Sequence, residues 1–366
     1  MLRFEKYWKP VLAMVVVEVI YASVALTGKA AFTQGMSPMV FVVYRQAIST
    51  LLLAPTTLLI KRRRLEEIGV GVKAFCLVFL TSIVLVSGQY LYYQGLNLTS
   101  APVATAISNM FPVITFLMAA VCGLEEMELR SSRTIAKIVG TIICVGGAMF
   151  MTLFKGPKLL NLEYQKIIPL LHSVSLIGGR WIKGCLFLTG GVSCWSLWHI
   201  LQVPIMRSYL DPLSLTTWMG FLSTLQSAIL TFFLYPNLTD WKITSFVELL
   251  SCLFAGVFGS AVNYYIQSWV ISVKDPLFCA MFTPLNTVFT TGFSLLILHQ
   301  ELYIGSLIGS IAVIVGLYAV LWGKAKDLEA KTKPNAIDEL PTTATRVADA
   351  QNVNRDADMK EPLLSS

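Results

Sequence analysis

Polar side chains recur inside long apolar segments of this chain, at spacings that place them on one face of a helix. Such side chains bind a solute through hydrogen bonds, and no nucleophile motif or metal-ligand spacing accompanies them. Asn and Gln favour a binding role because an amide is costly to bury without a partner. Ser, Thr, aromatic residues and histidine can instead serve helix packing. The candidates for solute binding are Glu18, Arg45, Gln89, Tyr92, Asn109, Trp195, His199, Asn263, Gln267, Asn286 and Thr290.

Glu18 stands inside the first apolar segment, where a charged side chain costs about 2.5–3.5 kcal/mol even on insertion scales. Arg45, in the second segment, would lie about 8 Å away along the membrane normal, from the rise of about 1.5 Å per residue. Two interpretations follow. Either Glu18 and Arg45 form a structural ion pair, or Glu18 faces a cavity and meets a solute's ammonium group or takes up a proton during transport.

Two prolines lie in the middle of apolar segments, Pro112 in the first half and Pro284 in the second. A proline there removes a backbone hydrogen bond and clashes with the carbonyl four residues earlier. We predict that both segments are broken helices that act as hinges beside a central site. The alternative is a tolerated kink in a packed bundle.

The same features repeat at a nearly constant offset along the chain. Ser37-Pro38 is answered by Asp211-Pro212, 174 positions later, and Tyr92-Tyr93 by Tyr264-Tyr265, 172 positions later. Pro284 follows Pro112 by the same 172. The chain therefore contains two copies of one membrane unit, an architecture typical of secondary transporters.

Composition indicates an all-α membrane protein. The 366 residues are 55% hydrophobic and 13% charged, against about 25% charged in a soluble domain. A spanning helix needs about 20 apolar residues. Ten segments qualify, at about 11–31, 38–60, 74–96, 101–122, 134–154, 182–205, 213–234, 246–271, 277–299 and 303–323.

Charge distribution predicts the orientation of these segments. The net charge of +7 does not indicate nucleic-acid binding, because most basic residues flank the apolar segments. They fall on one side of the membrane, which is the cytoplasmic side if both termini are cytoplasmic. Each half has five segments, an odd number, so the second copy is inverted relative to the first. Two glycosylation acceptors, Asn97 and Asn237, fall on the opposite side.

The expected organisation has four parts: a five-helix repeat at 1–154, a non-cytoplasmic linker at 155–181, a second five-helix repeat at 182–324 and a disordered cytoplasmic tail at 325–366. Seven scattered cysteines and three histidines show no metal-binding pattern, and no cofactor is expected. Gly305, Gly309 and Gly316 in the last segment allow close helix packing, within the bundle or in a homodimer.

Several stretches make the chain resemble the plant drug/metabolite transporter family, the nodulin-21-like or EamA-type proteins related to walls-are-thin proteins. They are Gly35-Met36-Ser37-Pro38 with Val43-Tyr44-Arg45, Lys155-Gly156-Pro157, 213–219, Gln226-Ser227 and 316–324. The resemblance covers about 1–324 and implies a drug/metabolite transporter fold with ten helices in an inverted 5+5 repeat. It also implies bidirectional carriers or exporters of amino acids, with some moving auxin. Glu18 stands where the family usually has Gln, and Arg180 replaces the usual Asp before Trp181.

We therefore predict a secondary carrier of small polar solutes, most of all amino acids, working by alternating access around a mid-membrane site. A carrier of auxin or another small organic acid is the alternative, and a receptor or scaffold is a more distant one. An enzyme is not expected, and the absence of a P-loop argues against ATP-driven transport. The expected partners are the solute and the lipid bilayer, with the plasma membrane favoured over the vacuolar membrane.

Overall fold

A computed structural model describes residues 2–62, 71–99, 101–124, 132–153, 179–297 and 304–332. Within these ranges the regular structure is helical throughout and contains no β-strand. Most of the predicted linker and most of the predicted tail lie outside the described residues, and the first residues of the tail, 325–332, continue the last helix. Their assignment stays a prediction.

In the part of the chain that the structure describes, six α-helices belong to the first half and seven to the second. The first six are α1 (Leu2–Thr33), α2 (Pro38–Ile60), α3 (Val72–Leu98), α4 (Ala101–Ser108), α5 (Phe111–Val121) and α6 (Ser132–Leu153). The others are α7 (Gly179–Ser208), α8 (Pro212–Leu234), α9 (Phe246–Phe254), α10 (Asn263–Val273), α11 (Pro276–Ala280), α12 (Thr283–Ile297) and α13 (Ile304–Thr332).

Seven continuous helical stretches of the described chain are long and apolar enough to cross a membrane. Two shorter apolar stretches, Thr134–Phe150 and Leu307–Gly323, lie in α6 and α13. The remaining predicted segment is divided between α11 and α12. The protein is thus a multi-pass membrane protein, and its helices are consistent with the predicted ten segments.

Both mid-segment prolines stand just after a break in their helix. Helix α4 ends at Ser108 and α5 starts at Phe111, so that Pro112 lies in the first turn of α5. Pro284 takes the same place in α12, after a break between Ala280 and Thr283. A proline is tolerated in a first turn, because the N–H it lacks has no intrahelical partner there. The two copies are therefore broken at matching positions, and the hinge role of the prolines stays a prediction.

The segment between α9 and α10 is a π-helix, Ala255–Val262, in which the backbone bonds over a longer interval than in an α-helix. Its glycines allow close approach to the first half. A Cβ on Gly256 would lie 2.6 Å from Ile48 of α2, and one on Gly259 would lie 2.9 Å from Val24 of α1. Larger residues at either position would separate the halves.

Helices α2 and α8 pack against each other in antiparallel fashion and join the two halves. The hydroxyls of Thr50 and Thr224 lie 3.0 Å apart, and those of Thr57 and Thr217 lie 2.7 Å apart. An ion pair between Lys61 and Asp211 closes one end of this helix pair. Thr50 and Thr224 are separated by 174 positions, the repeat offset of this segment. Equivalent residues therefore meet, as expected on the two-fold axis of an inverted repeat.

Helices α6 and α13 form a second close pair, in which glycines face glycines. A Cβ on Gly140 would lie 2.8 Å from the carbonyl oxygen of Gly316, and one on Gly147 would lie 3.0 Å from that of Gly309. The small-residue face of α13 thus packs within its own bundle at Gly309 and Gly316. A homodimer at these residues is not supported by this arrangement.

Candidate functional site

A cavity of about 620 Å³ lies between the two halves. Its walls come from α1, α2, α3, α4, α5, α7, α10, α11 and α12, including the residues at the break between α4 and α5. Helices α6, α8, α9 and α13 contribute no lining residue, so the close pair of α6 and α13 stands outside the site. The volume falls within the range of about 300–1,000 Å³ typical of small-molecule sites.

Ten of the eleven predicted binding residues line this cavity. Asn263 does not. It is fully buried, and its Nδ2 donates to the carbonyl oxygen of Val17 at 3.4 Å. In this structure Asn263 therefore links α10 to α1, and its predicted role in binding solute stays a prediction without support from the cavity lining. Pro112 and Pro284 are buried beside the cavity but do not line it.

Glu18 is 3% exposed and faces the second half of the protein. Asn286 of α12 lies against it: its Nδ2 donates to the Glu18 carbonyl oxygen at 3.4 Å, and its side chain also interacts with the carboxylate. Thr290 in turn donates to Asn286 Oδ1 at 3.2 Å. Glu18 and Arg45 form no ion pair with each other among the described residues. The structural pairing considered from the sequence is therefore not formed.

Arg45 is bonded to a tyrosine of the other half. Its Nη2 donates to the hydroxyl of Tyr264 at 3.1 Å, and Gln89 Nε2 donates to the same oxygen at 3.1 Å. The Nε of Arg45 is buried without a partner. The hydroxyls of Tyr21 and Tyr93 are near enough to interact with the guanidinium electrostatically. A cation and three hydroxyls thus gather at one part of the cavity.

Two amides on the cavity wall are only half satisfied. Gln267 Nε2 donates to the hydroxyl of Tyr21 at 3.1 Å, as Gln89 Nε2 does to Tyr264. Both residues are only 4% exposed, and the Oε1 atoms of Gln89 and Gln267 are buried without a hydrogen-bond donor. Buried polar atoms are nearly always paired in native proteins. These free acceptors therefore mark positions where a ligand or water can bond.

Aromatic rings cover the side of the cavity formed by α3 and α7. The rings of Tyr92 and Trp195 are 5.1 Å apart at an angle of 38°, and Trp198 lies 4.8 Å from His199 and 5.3 Å from Tyr264. His199 Nδ1 lies 3.1 Å from the carbonyl oxygen of Trp195. His199 is thus held by packing and one backbone contact while it lines the cavity.

The two broken helices meet across the cavity. Asn109 occupies the break after α4, and its Oδ1 accepts a hydrogen bond from Thr287 of α12 at 3.0 Å. Asn109 Nδ2 is buried without a partner. This bond joins the halves beside the positions where their helices are interrupted.

The cavity is closed at one end by apolar side chains and reaches the bundle surface at the other. Met14 lines it and belongs to a buried cluster with Phe278, Met281 and Phe282. Ala25 and Ala101, on the opposite side, line it and are exposed. The exposed part of the lining thus includes the point at which α3 finishes and α4 begins.

Five aromatic residues that line the cavity are not among the candidates named from the sequence: Tyr21, Tyr93, Phe111, Trp198 and Tyr264. Tyr264 was visible as the repeat partner of Tyr92, 172 positions later. Tyr21 follows Glu18 by three residues, which places the two on one helix face. Trp198 carried no distinguishing signal, since an aromatic residue in an apolar segment is usually a packing residue.

Comparison with known proteins agrees with this architecture. Residues 8–153 and 182–322 each match the EamA-like transporter family. A WAT1-related protein of Arabidopsis thaliana is 42% identical over 97% of this chain and 96% of its own length, and a second is 38% identical over 99% and 100%. A solved crystal structure with 13% sequence identity matches with a TM-score of 0.66, over 86% of this chain and 97% of the other, which shows the fold alone.

The resemblance found in the sequence is confirmed by these matches, which point to a transporter rather than an enzyme. The chain belongs to the EamA-like transporter family and is similar over nearly its whole length to WAT1-related proteins of Arabidopsis thaliana.

Proposed function

We propose that the protein is a secondary carrier of amino acids that works by alternating access around the cavity between its halves. The observation that carries the proposal is the set of buried polar groups on the cavity wall. Glu18, Arg45 and the amides of Gln89 and Gln267 are costly to keep in a membrane interior unless a solute uses them.

The packing of the halves supports alternating access. The cavity is closed at one end by the cluster around Phe278 and Phe282 and reaches the surface at the other. The hydrogen bond between Asn109 and Thr287 lies where both helices are interrupted. Rocking of one half against the other would close the reachable end and separate the apolar cluster, because inverted repeats exchange their conformations in this way.

Auxin or another small organic acid is a second candidate, favoured by one observation. Arg45 has no acidic partner among the described residues, so it suits a solute that carries a carboxylate. We propose the plasma membrane as the location of the protein. In the proposed orientation both termini are cytoplasmic.

Uptake and efflux in vesicles that contain the purified protein test the proposal. A panel of amino acids and small organic acids should identify solutes that move down their gradients in both directions. Gln267→Ala, Asn286→Ala and Asn109→Ala should each slow transport. Gln226→Ala is the matched control, because Gln226 lies on α8 outside the cavity and bonds the carbonyl oxygen of Phe79. Ordinary transport by all three cavity variants would place the site elsewhere.

A further inference from the structure

The hydrogen bonds at Tyr264 leave one donor unused. A tyrosine hydroxyl accepts through two lone pairs and donates through one hydrogen. Tyr264 accepts from Arg45 Nη2 and from Gln89 Nε2, both at 3.1 Å, so its two acceptor positions are filled. It donates to no described residue. The O–H of Tyr264 is therefore available to an acceptor in the cavity that Tyr264 lines.

Arg45 adds further unused donors beside this O–H. A guanidinium carries five N–H groups, and one of them bonds a described residue of the protein. No carboxylate of the described chain lies within ion-pair distance of Arg45. A buried cation with free N–H groups next to a free O–H forms a donor cluster, and a carboxylate is the acceptor that fits a guanidinium best.

Gln267 and Glu18 supply acceptor oxygens to the wall. Gln267 Oε1 has no partner, and Glu18 supplies carboxylate oxygens whose neighbour is Asn286. Tyr21 lies between the two groups: its hydroxyl accepts from Gln267 Nε2, and it interacts electrostatically with Arg45 and with Glu18. An ammonium group has three donors and no acceptor, so it matches this side of the cavity.

We propose that Arg45 and the Tyr264 hydroxyl bind the carboxylate of the transported solute, with Gln89 holding Tyr264 in place, while Glu18 and Gln267 bind its ammonium group. The inference rests on the proposed carrier function and adds the residues that bind each charged group, so that both charges of the solute are required. The unpaired donors of Arg45 and Tyr264 bind one end of the solute, and Glu18 and Gln267 bind the other, which orients the solute in the cavity. Gln89 Oε1 is a free acceptor beside the donors. Its remaining substituent lies toward the ring pair of Tyr92 and Trp195.

Tyr264→Phe is the decisive variant, because it removes one oxygen and keeps the ring packed against Trp198. Loss of a hydrogen bond to a charged group should raise the KM of an amino acid that the wild type transports by about 10-fold or more. Tyr265→Phe is the matched control, since Tyr265 is the next residue, is 39% exposed and does not line the cavity. Its KM should equal that of the wild type.

Competition by solute analogues measures which charged group of the solute each residue recognises. A variant that only disturbs the structure would not change this preference between analogues. For the wild type, the carboxamide of the transported amino acid should compete at least about 10-fold more weakly than the amino acid itself, and the deaminated acid should also compete weakly. Tyr264→Phe and Arg45→Lys should reduce the preference over the carboxamide and leave the preference over the deaminated acid.

The possible results are distinct. Equal KM values for Tyr264→Phe and Tyr265→Phe, or a carboxamide that competes as well as the amino acid, overturn the carboxylate site but leave the carrier function. Preferred transport of the deaminated acid overturns the requirement for an ammonium group. A wild type that moves no solute of the panel overturns the proposed function itself. If Arg45→Lys does not fold, the nearly isosteric Tyr264→Phe decides alone.

Discussion

Gly316→Ala should destabilise the pair of helices α6 and α13. An added Cβ at Gly316 would lie 2.5 Å from the backbone nitrogen of Cys144 and 2.7 Å from the carbonyl oxygen of Gly140. Ordinary contacts of a Cβ begin near 3.4 Å, so the helices must move apart locally by about 3.4 − 2.5 = 0.9 Å. Backbone atoms cannot rotate away as a flexible side chain can.

The control is Gly146→Ala on α6. Gly146 has nothing within 4 Å of an added Cβ, and it is exposed. The helix propensity of alanine exceeds that of glycine by about 1 kcal/mol, and this gain applies to both variants. Overpacking a tight interface costs about 1–3 kcal/mol and applies to Gly316→Ala alone. We therefore expect the two variants to differ by about 1–3 kcal/mol, or about 5- to 140-fold in the ratio of folded to unfolded protein.

Unfolding of the purified variants by SDS in mixed micelles, followed by circular dichroism, measures this difference. Neither residue lines the cavity, so the ratio of KM values for two transported solutes should be the same in both variants. Equal unfolding midpoints for Gly316→Ala and Gly146→Ala would refute the reasoning, because they would mean that α6 and α13 do not touch at Gly316.

Three further predictions concern charge and orientation. Glu18→Gln should abolish the pH dependence of transport between about pH 5 and 8 or change solute preference, and transport unaltered in both respects would leave Glu18 a structural role. Partial burial acts to raise the pKa of Asp211, but its bonds to Lys61 and Ser214 hold it below the usual value. The ionised carboxylate therefore stabilises the fold near neutral pH, and this contribution is lost on acidification. The free energy of unfolding should fall less between neutral and acid pH for Asp211→Asn than for the wild type. Glycosylation acceptors engineered at 155–181 should be modified and those at 61–64 should not; the opposite pattern would reverse the orientation.

Much of the architecture could be predicted because it depends on long, local patterns. Apolar segments of about 20 residues mark membrane helices by length alone. The breaks before Pro112 and Pro284 follow from the missing N–H of proline, and the repeat offset locates the second break from the first. Gln89, Asn109 and Asn286 lie around one cavity, as expected because an amide side chain is costly to place in lipid.

The residues that line the cavity could not be predicted where a helix departs from the regular α-helical period. Asn263 is the first residue after the π-helix Ala255–Val262, whose longer bonding interval changes the facing of every residue that follows. Successive residues of a regular helix already differ by about 100° in direction. Tyr264 therefore lines the cavity, whereas Asn263, which was predicted from the sequence to bind solute, bonds α1 in this structure.

The near-constant offset between the halves has a consequence for how the two copies have diverged. At the two repeat offsets, 172 and 174, Glu18 corresponds to Gly190 or Val192, and Arg45, at the offset of 174, corresponds to Met219. Both charges of the cavity thus come from one copy, whereas the indole and imidazole rings of Trp195, Trp198 and His199 come from the other. After duplication the copies kept a common scaffold, visible where Thr50 meets Thr224, and divided the chemistry between them. In the alternating-access cycle that we propose, a solute held by such a site would lie off the symmetry axis. The inward- and outward-facing forms would then differ in energy, and the carrier would have an intrinsic polarity in the membrane.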